Sequence, residues 1–174
     1  INKLYNKKMK KIVHLITSFI LLTYITACVG YEPIYSSAKL QFKIADYSIK
    51  ADKKLGNQVY SQLYKLSKSS KNNEKTQSIH VTIQVSKDKN ATIKNSAGKI
   101  LEYRVTINTN ILIKDFLSGS EILNQNFNYS SRYKVQDQHS ETTQLENKTI
   151  NNILNKTYEN LLIKMSETMS IKRL

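Results

Sequence analysis

The sequence predicts a single α+β domain of order β-α-β-β-β-α, with two helices packed on one face of a four-stranded sheet. Three observations point there. A chain of 174 residues with 40% apolar side chains holds one core but not two comfortable ones. Four stretches carry apolar and polar residues in alternation, the mark of strands wetted on one side. Two further stretches carry an apolar stripe at helical spacing. One apolar face per strand and one stripe per helix are buried most economically by laying both helices on the same side of the sheet.

Residues 39–49 place Leu40, Phe42 and Ile44 on one face of a first strand. Asp52 then offers an N-cap, and Leu55, Val59, Leu63 and Leu66 form one stripe of a helix that ends in the polar run SKSSKNNEKTQ. Ile79, Val81, Ile83 and Val85 alternate with His80, Thr82, Gln84 and Ser86 in a second strand. A longer third strand carries Leu101, Tyr103, Val105, Ile107, Thr109, Ile111 and Ile113 on one face, and the second and third read as hairpin neighbours. Between them KDKNATIKNSAGK, Lys-rich and Gly-containing, reads as a mobile loop. After the short connection from Asp115 to Ser120, a fourth strand from Ile122 to Val135 sets Gln125, Phe127, Tyr129, Ser131, Tyr133 and Val135 on one face. From about Ser140 to Ile171 neither Pro nor Gly interrupts a stripe of Ile150, Ile153, Leu154, Tyr158, Leu161, Leu162, Met165 and Met169. Thr143 and Glu146 match the T-x-x-E capping box of this last helix, whose first turn could equally begin a few residues earlier.

The N-terminal stretch has a different character. Residues 1–11 hold five lysines and no acid, and residues 12–27 form an apolar run, IVHLITSFILLTYITA, that ends at Cys28. Residues 1–27 therefore read as a secretory signal peptide: the run is shorter than the ~20 apolar residues of a membrane span and no basic stop-transfer cluster follows. Met9 offers a second starting point with a compact Lys-Lys n-region. Ile25-Thr26-Ala27-Cys28 resembles a bacterial lipobox, which directs acylation of the thiol and cleavage before it. Cys28 is the only cysteine. Two or three acyl chains there would anchor the chain stably, where one would be marginal. Residues 28–38 then read as a lipid-anchored linker and 39–174 as the folded domain. Val29, in place of Asp, fits the outer membrane rather than inner-membrane retention by resemblance to bacterial lipoproteins.

Charge and chemistry narrow the function classes. The formal charge is +14, and without the five leader lysines 22 basic residues still face 13 acidic ones, +9. Of the 27 basic residues 24 are Lys, beside 20 Ile and 17 Asn, so part of the excess reflects A+T-rich codon usage. The chain has no G-x-S-x-G, H-E-x-x-H or phosphate-cradling glycine loop, and His80, Asp137 and His139 do not make a metal set, so neither an enzyme, a cofactor nor a metal is expected. Nucleic acid is not an expected partner, because the element order differs from that of an RNA-recognition motif and an exported chain leaves the cytoplasm.

Gly30-Tyr31-Glu32-Pro33-Ile34-Tyr35, almost directly after Cys28, resembles the C-G-F-x-P-L-Y opening of the lipopolysaccharide-assembly lipoprotein LptE family, in its alphaproteobacterial branch. Asp115-Phe116-Leu117-Ser118-Gly119-Ser120-Glu121-Ile122-Leu123 looks like that branch's D-x-x-T-G-x-x-L turn. Ser131-Arg132-Tyr133 looks like its S-Y-N strand end. Val29 departs from the pattern, and so does a final helix rich in Asn, Thr and Lys where the family shows Ala. The resemblance implies a non-enzymatic outer-membrane lipoprotein that partners the LptD-type β-barrel translocon, plugs it, helps it fold and assists lipopolysaccharide assembly. An auxiliary lipoprotein of an ABC-type lipid transport system is the alternative.

Charge placement adds one expectation independent of the family. Lys87, Lys89, Lys94 and Lys99 on the loop, with Arg104 on the following strand, would form one basic patch for lipopolysaccharide phosphates, the alternative being a solvated loop in a Lys-rich chain.

Overall fold

A computed structural model describes residues 40–69 and 76–171. The leader, Cys28, the 28–38 linker and the opening motif all lie outside the described residues. The elements run β1 (Phe42–Ala51), α1 (Lys53–Ser69), β2 (Gln77–Lys94), β3 (Ile100–Asp115), β4 (Glu121–Lys134) and α2 (His139–Ile171), the order the sequence predicts. The sheet is mixed, in the order β1-β2-β3-β4: β1 lies parallel to β2, while β2, β3 and β4 form an antiparallel meander.

Both helices cover one face. α1 packs on β1 and β2, and α2 on β4 and β3. Between the layers lie Leu55, Val59 and Leu63 of α1, the odd-numbered positions of β2 from Ile79 to Val85 and of β3 from Val105 to Ile113, and Ile150, Leu154, Leu161 and Met165 of α2. At about 1.5 Å per residue the 33 residues of α2 reach some 50 Å, the full length of the meander, whereas the 17 of α1 reach about half as far. That difference decides what is buried on β2. Ile79, Val81, Ile83 and Val85 are sealed under α1 and beside β1, but β1 ends where Ala51 pairs with Val85, and every residue of β2 from Ser86 to Lys94 is exposed.

The segment expected as a mobile loop is therefore a strand. Residues 87–94 pair with β3 as far as Lys94 opposite Ile100, and only Asn95–Lys99 turn the chain. Asn95 Oδ1 accepts hydrogen bonds from the amides of Ala97 (3.1 Å) and Lys99 (2.8 Å), and Gly98 takes a positive φ of 80° that favours glycine. Apolar alternation fails from Lys87 onward because neither α1 nor β1 extends over that half of β2. The backbone still pairs.

Two local devices set β1 and α1. A bulge between Ile44 and Asp46 moves the helix-facing positions from even (Phe42, Ile44) to odd (Tyr47, Ile49). Asp52 caps α1 by accepting from the amide of Leu55 at 3.0 Å, after Ala51 has turned the chain with a φ of 64°. The T-x-x-E box is not used. α2 begins earlier, at His139, where Thr142 Oγ1 accepts from the amide of Gln136 at 2.9 Å, and Glu146 bonds away from its own helix.

Thr109 is fully buried in the middle of β3, and its hydroxyl has no hydrogen-bond partner. A desolvated hydroxyl without a bond costs on the order of 1–3 kcal/mol. Thr109→Val is accordingly expected to raise folding stability by about 1 kcal/mol in urea titrations; a loss would show that the hydroxyl is satisfied in solution.

Candidate functional site

Where the meander outruns α1, side chains from four elements meet over the start of α2. Lys89 on β2 donates to Glu146 Oε2 at 2.5 Å, Tyr133 on β4 donates its hydroxyl to the same oxygen at 2.8 Å, and Lys87 Nζ lies 3.6 Å from Glu146 Oε1. The Lys89 ammonium also sits 4.4 Å from the centroid of the Tyr103 ring and 5.6 Å from that of Tyr133. Register produces this meeting. Lys89 lies opposite Val105, Tyr103 opposite Tyr133, and all project from the helix-covered face. A cleft of about 350 Å³ opens beside the cluster, walled by Lys99, Ile100, Gln136, Asp137, His139 and Thr143.

Burial alone would raise the Glu146 carboxyl, but the bonds from Lys89 and Tyr133, with the charges of Lys89 and Lys87, outweigh it and hold the group below its ordinary value. Burial alone would lower the Lys89 ammonium, and its bonds to Glu146 and Tyr133 raise it instead. The signs follow. Glu146 contributes stability above the ordinary carboxylate pKa that is lost as pH falls through its lowered value; Lys89 contributes stability below the ordinary lysine pKa that is lost as pH rises through its raised one. Because the pair is partly solvated, Glu146→Gln is expected to cost about 1 kcal/mol at pH 7. That difference should shrink below about pH 4. Urea titrations at both pH values check it, and an equal difference at both would contradict an ionic origin.

Among the described residues the other sheet face carries no helix. Its even positions on β3 and β4 are mostly amides and hydroxyls, with Asn108 opposite Asn128, Asn110 opposite Asn126 and Thr106 opposite Ser130. Toward the β2–β3 turn, Arg104 lies directly opposite Arg132 on this open face. Like charges in cross-strand register repel. Glu102 compensates only in part, 3.9 Å from Arg132. At the opposite end His80 Nδ1 is 3.1 Å from Asp46 Oδ2, an exposed pair joining β1 to β2.

The five basic residues expected to form one patch are thus divided. Lys87 and Lys89 lie on the helix side and are held by Glu146; Lys99 walls the cleft and Lys94 ends β2; Arg104 points to the open face. Cys28 lies outside the described residues. Sequence reasoning missed Glu146, taken for a cap, and the pairing of Arg104 with Arg132. One signal was available for the second: only three of the 27 basic residues are Arg, and two of them sit here. Among the described residues no three His, Cys, Asp or Glu side chains are grouped to hold a metal ion, and no helix is long and apolar enough to cross a membrane.

No family model and no curated protein matches the sequence. Solved structures do match the fold. Rare lipoprotein B from Shewanella oneidensis aligns with a TM-score of 0.53 at 14% identity, over 74% of this chain and 99% of that one. Lipoprotein B from Nitrosomonas europaea aligns with a TM-score of 0.55 at 13% identity, over 82% of this chain and 94% of that one. At such identity the likeness establishes a shared fold, in nearly the whole of each relative.

Proposed function

We propose that this chain is a lipid-anchored bacterial outer-membrane protein that seats its open sheet face in an LptD-type β-barrel translocon and assists lipopolysaccharide assembly. The observation that carries the reading is that open face. It is long, has no helical cover among the described residues and presents amides, which both donate and accept hydrogen bonds, as the polar lumen of an outer-membrane barrel requires. Strands of 14 to 18 residues, at about 3.3 Å each, run some 45–60 Å, more than the ~25 Å apolar band of such a barrel. The lipobox at Cys28, the opening Gly30–Tyr35 and the fold shared with bacterial lipoprotein structures support the same reading.

Within it, phosphate contact falls to Arg104 and Arg132, whose forks can each bind two oxygens and whose repulsion an anion would relieve. Lys87 and Lys89 serve Glu146 instead. Affinity purification from native membranes tests the partner: recovery of an outer-membrane barrel is expected, and recovery of an inner-membrane permease would replace this reading with the ABC-type auxiliary role. Mass spectrometry of the N-terminal peptide should find acylated Cys28. Arg104→Gln with Arg132→Gln should weaken lipopolysaccharide binding and flatten its salt dependence, while Lys87→Gln with Lys89→Gln should leave both unchanged.

A further inference from the structure

We propose that the tip of the β3–β4 hairpin, Phe116 and Leu117, inserts into the lipid leaflet that holds the acylated N-terminus, fixing the domain's orientation on the membrane. The inference rests on the reading of Cys28 as a lipid anchor. Leu117 is 87% exposed and Phe116 49%, adjacent at the apex of a turn where polar residues are the norm.

The turn itself needs neither side chain to be apolar. Its shape comes from Asp115, whose Oδ1 accepts from the amides of Leu117 (3.1 Å) and Ser118 (2.8 Å) and from the Ser118 hydroxyl (2.9 Å), and from Gly119 at a φ of 68°. Gln77 donates to Asp115 Oδ2 at 3.0 Å, and the Phe116 amide bonds the Ser78 carbonyl at 2.9 Å, tying the tip to β2. A bond from Gln77, joined by those from Ser118 and Leu117, pushes the Asp115 carboxyl down to about 2, so the acceptor stays ionised at any physiological pH. The apex is held firmly and aims two large apolar groups outward.

Topology supplies the occupant. β1 begins at Phe42 opposite Gln77, and Ile79 lies opposite Asp115, so the chain enters the sheet at the end where the tip projects. From Cys28 to Leu40 the backbone reaches at most about 40 Å. A leaflet holding Cys28 is therefore within range of this end. The β2–β3 turn at Ala97 lies on the order of 50 Å away along the strands.

The chain contains no Trp, so Leu117→Trp makes a sole reporter. The variant would be purified from its own membranes with its native N-terminus and reconstituted in phosphatidylcholine–phosphatidylglycerol vesicles containing chain-brominated lipid. Blue-shifted emission quenched at least threefold is expected at position 117, with Phe116→Trp as a second reporter. Ala97→Trp should emit as in water. Burying a Leu or Phe side chain is worth about tenfold or more in partitioning, so Phe116→Ser with Leu117→Ser should need correspondingly more lipid to stay on the vesicles. Vesicle-bound, acylated Leu117→Trp that emits like Ala97→Trp overturns the proposal and leaves the anchor standing. An unacylated chain that stays off the vesicles overturns both. Barrel capture by the double serine variant should be retained, which separates this inference from the proposed partnership.

Discussion

Phe42→Ala is expected to lower folding stability by about 3–5 kcal/mol, the range for emptying a fully buried aromatic site. Phe42 opens β1, an edge strand among the described residues, which pairs in parallel with β2. α1 covers β1 from one side and cannot collapse far into the space, because its own Leu55, Val59 and Leu63 are already packed against the sheet. A small domain has on the order of 5–15 kcal/mol to lose. Urea unfolding should show the midpoint shift, and amide exchange should show β1 losing protection before β3. A loss below about 1.5 kcal/mol would mean that β1 contributes little to the cooperative unit.

Gly56→Val is expected to cost about 2–3 kcal/mol by overpacking. α1 crosses β1 so closely here that a Cβ on Gly56 would clash with Ile49 Cγ2. Ile49 is β-branched and stiff about χ1, so it cannot swing clear without leaving its well. Gly56→Ala should cost less, since its gain in helix propensity of about 1 kcal/mol offsets part of the clash. The pair Gly56→Val with Ile49→Ala should recover stability relative to Gly56→Val alone. Without recovery, the strain lies somewhere other than this contact.

Both residues show how much the sequence disclosed. Leu40, Phe42 and Ile44 read correctly as a core face, yet the same frame carried past Ala45 would bury Asp46 and Ser48, because a bulge changes parity without changing composition. The helices were legible from their stripes and from Asp52. The distal half of β2 was not: periodicity reports burial, and a strand that pairs without being covered leaves no trace in it. Glu146 matched a capping pattern that local spacing favours, but its partners, Lys89 and Tyr133, are brought to it from β2 and β4 by register alone. Arg104 and Arg132 stand 28 positions apart and become neighbours only once the β3–β4 turn fixes the pairing.

Beyond Val85, β2 has no strand neighbour on its outer side among the described residues, and a bare strand edge is a template on which another chain can polymerise. Here that edge is blunted from within. The amide of Lys89 donates to Asp88 Oδ1 at 3.0 Å, and Asn90 Nδ2 donates to Asp88 Oδ2 at 2.7 Å, so one short acidic side chain occupies a donor that an incoming strand would need. Lys87, Asp88 and Lys89 would also have to shed their hydration before a second backbone could approach. A strand edge left bare thus resists fibril growth without a strand or helix beside it, and Asp88→Ala is the change that would expose it to aggregation.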